Sequence, residues 1–163
     1  MALVVVTVAG ALLLAGCTQQ SGDPSKQVST WMSQSGDGAA IGQVEVDSRN
    51  VDLAFRDHNT SSAIKTVCAL LSTDALTAIG NLPSPDTSLT DDLNNAFEDA
   101  SAAAKDCYNG ATGNASLLRR SAKERTELVG LVSIAVDRIR AITGHEPSTS
   151  TTLAPNVSGD PFG

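Results

Sequence analysis

Aromatic residues are scarce in this chain. Its five aromatic side chains among 163 residues are Trp31, Phe55, Phe97, Tyr108 and Phe162. A base-stacking platform or an aromatic sugar-binding groove needs several rings along one surface. The composition therefore excludes both kinds of site.

Positive charge is also in short supply. Eleven Lys and Arg residues stand against eighteen Asp and Glu residues, which gives a formal net charge of −7. Nucleic-acid phosphates require a basic face, so we expect no nucleic-acid partner. The same balance argues against a protein that is held on anionic lipid by charge alone.

The motifs of common catalytic and metal sites are missing. The chain has no Gly-rich phosphate loop, HExxH, CxxC or GxSxG. His58 and His145 are its two histidines, and no pair of nucleophile and base can be named from the sequence. The acidic residues within 91–99 are typical of a solvated helix face rather than of a metal site. We expect no enzyme, no metal and no cofactor.

One basic segment, residues 119–125, could bind an anion near the start of the last helix. Arg120 and Glu124 are four residues apart, as are Lys123 and Glu127. Pairs at this spacing lie side by side on a helix and satisfy one another. The sequence therefore favours ion pairs over an anion site.

A lipobox closes the apolar run at the start of the chain. Residues 3–14 are apolar and too short for the ~20 residues that span a bilayer. The tetrapeptide Leu14-Ala15-Gly16-Cys17 and a polar stretch follow, which predicts a lipoprotein signal peptide over 1–16, with lipid on the Cys17 sulfur. Residues 17–23 are then a lipidated tether, and the acyl chains hold the protein on the extracytoplasmic face of the cell membrane.

One feature of the leader departs from the pattern and leaves two explanations open. Residues 1–16 contain neither Lys nor Arg, although a signal peptide normally opens with one, and a true start upstream of Met1 would explain this. The alternative to a signal peptide is that residues 3–14 form a buried helix and Cys17 is an ordinary thiol.

Apart from Cys17 of the lipobox, the chain has two cysteines, Cys68 and Cys107. An even pair in an exported protein predicts a disulfide, because the extracytoplasmic compartment is oxidising. Two free buried thiols, or a metal or catalytic role, are the alternatives.

Between the leader and residue 144 the apolar pattern is helical. Apolar residues recur at spacings of three and four, which indicates one buried stripe on each helix. The predicted helices cover 24–35, 38–57, 61–79, 89–108 and 114–143. The second is the least clear, because Val-Glu-Val-Asp at 44–47 alternates like a strand. We predict an all-α fold, an antiparallel bundle of about four helices over 24–144, followed by a disordered Ser/Thr/Pro-rich tail over 145–163.

Three details of the helices are specific enough to compare with a structure. Ser88 and Asp91 have the spacing of a capping box, which predicts a helix start at this point. The buried stripe of the last helix is predicted at 118, 122, 125, 129, 132, 136 and 139. Segment 86–106 holds six acids and segment 117–142 six bases, so these two helices should be antiparallel neighbours.

The chain resembles a known group of proteins in one region. The stretch CYNGATGNASLLRRSAKERTE (107–127), together with the upstream Cys68 and the loop LPSPDTSLT (82–90), looks like small uncharacterised actinobacterial extracytoplasmic proteins and lipoproteins. The likeness covers roughly 30–142. It implies an all-helical secreted domain with a cysteine pair and carries over no activity.

Together these patterns predict a membrane-anchored extracytoplasmic lipoprotein that acts as a binding or structural module of the cell envelope. Its partners would be the membrane, through the lipid anchor, and another envelope protein. The alternative function is a carrier of a small apolar ligand in a cavity between the helices. Alanine-rich stripes make a carrier less favoured, because they bring helices close together.

Overall fold

The computed structural model describes residues 22–34 and 36–145, and over this part the chain is helical with no strand. The predicted signal peptide, Cys17 and the tether up to residue 21 lie outside the described residues, as does the tail from residue 146. The helices are α1 Pro24–Gln34, α2 Asp37–Arg56, α3 Ser61–Gly80, α4 Thr87–Gly110 and α5 Ala115–Thr143. The described part therefore holds four long helices and one short helix, where the sequence predicted about four. The short helix counts separately because Gly36, with a left-handed φ of 73°, interrupts the chain between α1 and α2.

The segment with strand-like alternation is helical. Val44 and Asp47 lie three residues apart in α2, and both are buried. Ile41, Ser48 and Val51 share the same face. This periodicity of three and four is that of a helix with one buried side. The helical interpretation of residues 38–57 is confirmed.

Side-chain caps fix four of the helix starts, including that of α1, where Asp23 Oδ1 accepts a hydrogen bond from the Ser25 backbone N–H at 3.0 Å. Thr60 Oγ1 accepts a hydrogen bond from the Ala63 backbone N–H at 3.3 Å, and Asn114 Oδ1 accepts from Ser116 and Leu117. The predicted capping box at Ser88 is wrong, because α4 begins earlier. Asp86 is its N-cap and accepts from the Leu89 N–H at 2.7 Å. Aspartate satisfies a free N–H of the first turn and adds a favourable negative charge there.

The helices pack in chain order. The broadest contact is between α4 and α5, followed by α3 with α4 and α2 with α3, while α1 lies against α5 and α2. The core consists of aliphatic and small side chains. Its large fully buried members are Val28, Ile41, Val44, Val51, Leu71, Leu89, Leu93, Leu128, Val132 and Ile139.

The buried stripe of α5 differs in phase from the predicted one. Residues 125, 132 and 139 are buried as predicted, but Ala122 and Val129 are exposed. Val136 is half-buried, and the fully buried positions are instead Ser121, Leu128 and Ala135, each one residue earlier than predicted. Both stripes alternate steps of four and three, so periodicity alone does not separate them. The contacts of Ser121 and Arg125 select the observed phase.

Arg125 is the charged residue of this buried stripe, and hydrogen bonds hold it. Its Nη1 donates to Ser121 Oγ at 2.6 Å, and its Nη2 donates to Asp52 Oδ1 of α2 at 2.6 Å. Ser121 Oγ in turn donates to the Ala103 carbonyl of α4 at 2.7 Å. The network therefore joins α2, α4 and α5.

The predicted pairing of an acidic with a basic helix is confirmed. Asp86 accepts from Arg138 Nε at 2.5 Å near one end of the α4–α5 pair, and Asp106 binds Arg120 near the other. Pairs between the start of one helix and the end of the other require an antiparallel arrangement. The hydrogen bond from Arg138, with the help of the helix start, holds the pKa of Asp86 below its usual value.

Candidate binding groove between the third and fourth helices

Cys68 of α3 and Cys107 of α4 are joined as a disulfide. Their Cα atoms are 5.8 Å apart, inside the range of about 4.4–6.8 Å that a disulfide requires, and both side chains are fully buried. The two cysteines therefore pair as the sequence predicted. The bond ties the first half of α3 to the last turns of α4.

A surface groove lies directly above this bond. It has two adjoining parts, of about 400 Å³ and about 420 Å³, which share Ala69, Thr73 and Tyr108. We call it the Tyr108 groove. Its lining consists of Ser62, Lys65, Thr66, Cys68, Ala69, Leu70, Ser72, Thr73, Ser101, Ala104, Lys105, Tyr108 and Asn109.

Tyr108 is the aromatic centre of the groove. Although it follows the buried Cys107, it points outward and is 45% exposed. The Lys65 ammonium of α3 lies over its ring, with Nζ 5.2 Å from the ring centroid. Such a contact places the cation by attraction to the ring face, which leaves its three N–H groups able to donate.

Lys65 and Lys105 differ from most cations of the described chain. Among the described residues, neither ammonium lies within 4.0 Å of a carboxylate oxygen. By contrast, seven cations have a carboxylate partner, namely Arg49, Arg56, Arg120, Lys123, Arg125, Arg138 and Arg140. The Tyr108 groove therefore carries positive charge without an internal counter-charge.

The exposed face of α3 beside the groove is uncharged. Lys65 and Asp74 are the two charged residues in this helix, and neither is among its fully exposed positions. Thr66, Thr73 and Thr77 donate their hydroxyls to the carbonyl four residues earlier, so these hydroxyls are satisfied within the helix. By length and composition α3 could cross a membrane, with a mean hydropathy of 1.3, a property it shares with core helices of water-soluble proteins.

A second polar cluster lies between α2 and α3. Asp47 is 3% exposed. Gln43 Nε2 donates a hydrogen bond to its Oδ1 at 3.1 Å, and within the described residues its Oδ2 accepts no hydrogen bond. Burial, followed by the hydrogen bond and negative charge of Asp74, raises the pKa of Asp47 to about 7. Asp47 is therefore protonated below neutral pH.

This raised pKa predicts that stability falls as the pH rises. The folded protein holds a proton on Asp47 that the unfolded chain releases near pH 3.8, so the free energy of unfolding should decline between about pH 4 and 7 and level off above. Asp47→Asn keeps a hydrogen-bond donor for Asp74 and carries no charge. We expect it to raise the free energy of unfolding at pH 8 by about 1–3 kcal/mol and to remove the decline.

Urea unfolding at pH 5, 6, 7 and 8 measures this effect, with Asp91→Asn on the exposed face of α4 as the control. The control should retain the decline. Equal pH dependence of wild type and Asp47→Asn would show that Asp47 is ionised throughout this range.

Most cations of the basic segment 119–125 form ion pairs. Arg120 binds Asp106 and lies 3.9 Å from Glu124, and Lys123 Nζ donates to Glu127 at 2.8 Å. Burial and the nearby Asp106 charge raise the pKa of Glu124. The structure therefore pairs Arg120, Lys123 and Arg125 with carboxylates and leaves Arg119, which is exposed, as the one cation of the segment outside an ion pair with the described residues.

The remaining candidates are dispersed. His58 is exposed in the turn after α2, with a left-handed φ of 53°, and His145 follows the end of α5. In the described part of the chain, no three His, Cys, Asp or Glu side chains are grouped so that they could hold a metal ion.

Sequence reasoning missed the groove itself. Lys105 and Tyr108 are three residues apart and lie next to the buried positions Ala104 and Cys107, so they share one outer face of α4. On α3, Lys65 likewise follows the buried Ile64 directly and precedes the buried Cys68 by three residues. These spacings were visible, but only the pairing of α3 with α4 shows that the two faces meet.

The chain has no match among protein-family models, curated proteins or solved structures.

Proposed function

We propose that this chain is a lipid-anchored binding module of the bacterial cell envelope and that the Tyr108 groove is its binding surface. The observation that carries the proposal is an exposed tyrosine flanked by two lysines without carboxylate partners, in a chain of net charge −7. Cys17 carries the lipid and places the domain on the extracytoplasmic face of the cell membrane. The role is non-catalytic.

The position of the groove suits an anchored module. Lys26, Gln27 and Trp31 of α1 line a groove with Pro85, which precedes α4. Tyr108 is near the other end of α4, and a helix rises ~1.5 Å per residue, so roughly 30 Å separate the two ends. An anchor that enters through α1 therefore leaves the Tyr108 groove at the far end of the bundle, accessible to a partner.

The packing supports surface binding over carriage of an apolar ligand inside the bundle. Ala75, Ala78, Ala96 and Ala100 are fully buried on the facing helices α3 and α4. Small side chains at these positions bring the helix backbones close together. The groove of about 400 Å³ lies outside this contact and is lined largely by polar and small residues.

The anchor is tested by Cys17→Ser. We expect the wild-type protein to fractionate with membranes and to yield an acylated N-terminal peptide that begins at Cys17, because the lipobox directs cleavage and acylation there. The variant should fractionate as a soluble protein. Thr18→Ala, in the same tether, is the control and should stay with the membrane.

An intact peptide that begins at Met1, or a Cys17→Ser protein that remains on the membrane, would contradict the anchor. Mass spectrometry of the membrane extract decides the first point and quantitative fractionation the second.

The binding surface is tested by a photo-crosslinking residue at position 108 in intact cells. A reproducible adduct is expected there and should be absent when the same residue replaces Ile134, which is 54% exposed on α5. Adducts that are equal at both positions, or missing at position 108, would remove the groove from the proposal.

A further inference from the structure

We propose that the Tyr108 groove recognises an anionic group, a phosphate or a carboxylate, that is attached to an apolar or aromatic ring. The anion lies between the Lys65 and Lys105 ammonium groups, and the ring lies against Tyr108. This inference rests on the proposed binding function and adds the chemistry of the ligand.

The charge of the groove selects an anion. Its lining includes two lysines and neither aspartate nor glutamate, although acids outnumber bases by seven in the whole chain. Lys65 of α3 lines one part of the groove and Lys105 of α4 lines the other, and Tyr108 belongs to both parts. A charge-assisted hydrogen bond to an anion is about twice as strong as a neutral one.

Neutral donors lie in the part of the groove that Lys105 lines. Ser72 of α3 and Ser101 of α4 are half-buried in the groove, and within the described residues neither hydroxyl makes a hydrogen bond. Serine hydroxyls on helices commonly bond their own backbone, as Thr66 and Thr73 do in the same groove. The free hydroxyls of Ser72 and Ser101 can therefore donate to phosphate or carboxylate oxygens.

The floor and size of the groove fit a compact group. Ala69 and Ala104 leave space above the disulfide, and Tyr108 and Leu70 offer apolar surface at its side. A volume of about 400 Å³ is that of a small-ligand site, which commonly ranges over ~300–1,000 Å³. Because the groove is open at the surface, the group can belong to a free molecule or project from a larger one.

The test uses phenyl phosphate as the probe, with phenol and inorganic phosphate as its two halves. The full chain carrying Cys17→Ser is titrated and followed by amide NMR shifts. We expect saturable shifts around Lys105, Tyr108 and Ser72, with phenyl phosphate bound at least threefold more tightly than inorganic phosphate. The double variant Lys65→Met/Lys105→Met should weaken binding of phenyl phosphate at least tenfold.

Lys123→Met with Arg119→Met is the control, because it removes the same charge from α5 outside the groove. It should change the affinity less than twofold. Shifts spread over the whole surface, or an equal loss of affinity in the control, would overturn the proposal. So would a double variant that binds as the wild type does.

Vesicles of phosphatidylglycerol and of phosphatidylcholine form a second arm. Sedimentation with phosphatidylglycerol that depends on Lys65 and Lys105 supports a lipid headgroup as the source of the anion. Lysine-dependent binding of phenyl phosphate alone supports a soluble or polymer-borne group. If neither phenyl phosphate nor phosphatidylglycerol binds, the proposal of an anionic ligand is overturned. Absence of the crosslink at position 108 overturns the proposed binding surface itself. The two failures are therefore distinguishable.

Discussion

Loss of the bond between Cys68 and Cys107 is expected to lower the free energy of unfolding by about 4 kcal/mol. The two residues are 39 apart in sequence, and in the chain-entropy model the closure of a loop of this length contributes ~4 kcal/mol. This is a large part of the ~5–15 kcal/mol typical of a domain. Urea unfolding of Cys68→Ala/Cys107→Ala measures it, in the Cys17→Ser background so that no other thiol is present.

The matched comparison is the unmutated pair in that background, before and after treatment with a reductant. Reduction and double substitution should destabilise by similar amounts, since both open the same loop. A difference below about 1 kcal/mol between oxidised and reduced protein would contradict the expectation. Hydrogen exchange should rise most over α3 and the last turns of α4, which the bond ties together.

Arg125 is expected to contribute more through its volume than through its charge. Its side chain is 7% exposed, and Arg125→Ala leaves a cavity among α2, α4 and α5, so we expect a loss of about 2–4 kcal/mol. Arg125→Met fills most of that space without a buried charge. Because the Asp52 carboxylate is largely exposed and stays hydrated without its partner, this variant should change the free energy of unfolding by less than about 1 kcal/mol.

Asp52→Ala supplies the electrostatic part of the comparison. Because the Asp52 side chain is 64% exposed, water and salt weaken its attraction to Arg125, and we expect the smaller loss of about 1 kcal/mol. Urea unfolding of the three variants gives the order. If Arg125→Met were as destabilising as Arg125→Ala, the guanidinium hydrogen bonds would outweigh packing.

The sequence was most informative where one face of a helix is apolar and the other is not. The apolar residues of α3 recur at steps of four and three from Ile64 through Cys68, Leu71 and Ala75 to Ala78, and each of these side chains is buried, while Leu82, the next in the repeat, follows the helix end and is half-buried. The buried face of this helix is unambiguous because no other face has apolar residues at such regular spacing.

Prediction failed where two choices were equivalent in pattern. In α5, Val129 looked a better core residue than Ser121, yet Ser121 is buried because it bonds the Ala103 carbonyl and Arg125. At the start of α4, Asp86 was preferred over Ser88 because it caps the helix and binds Arg138. Both choices depend on a partner far away in sequence, which local periodicity does not contain.

The composition of α3 has a consequence for export. On the proposed route the chain crosses the membrane unfolded, and its translocation channel meets a segment of twenty residues whose apolarity approaches that of a membrane anchor. Lys65 and Asp74 are the fifth and fourteenth of these twenty residues, and a charged residue at the centre of a spanning helix costs ~2.5–3.5 kcal/mol. If the proposed export takes place, the lysine that meets Tyr108 and the aspartate that faces Asp47 after folding would therefore also oppose retention of this segment in the bilayer before it folds.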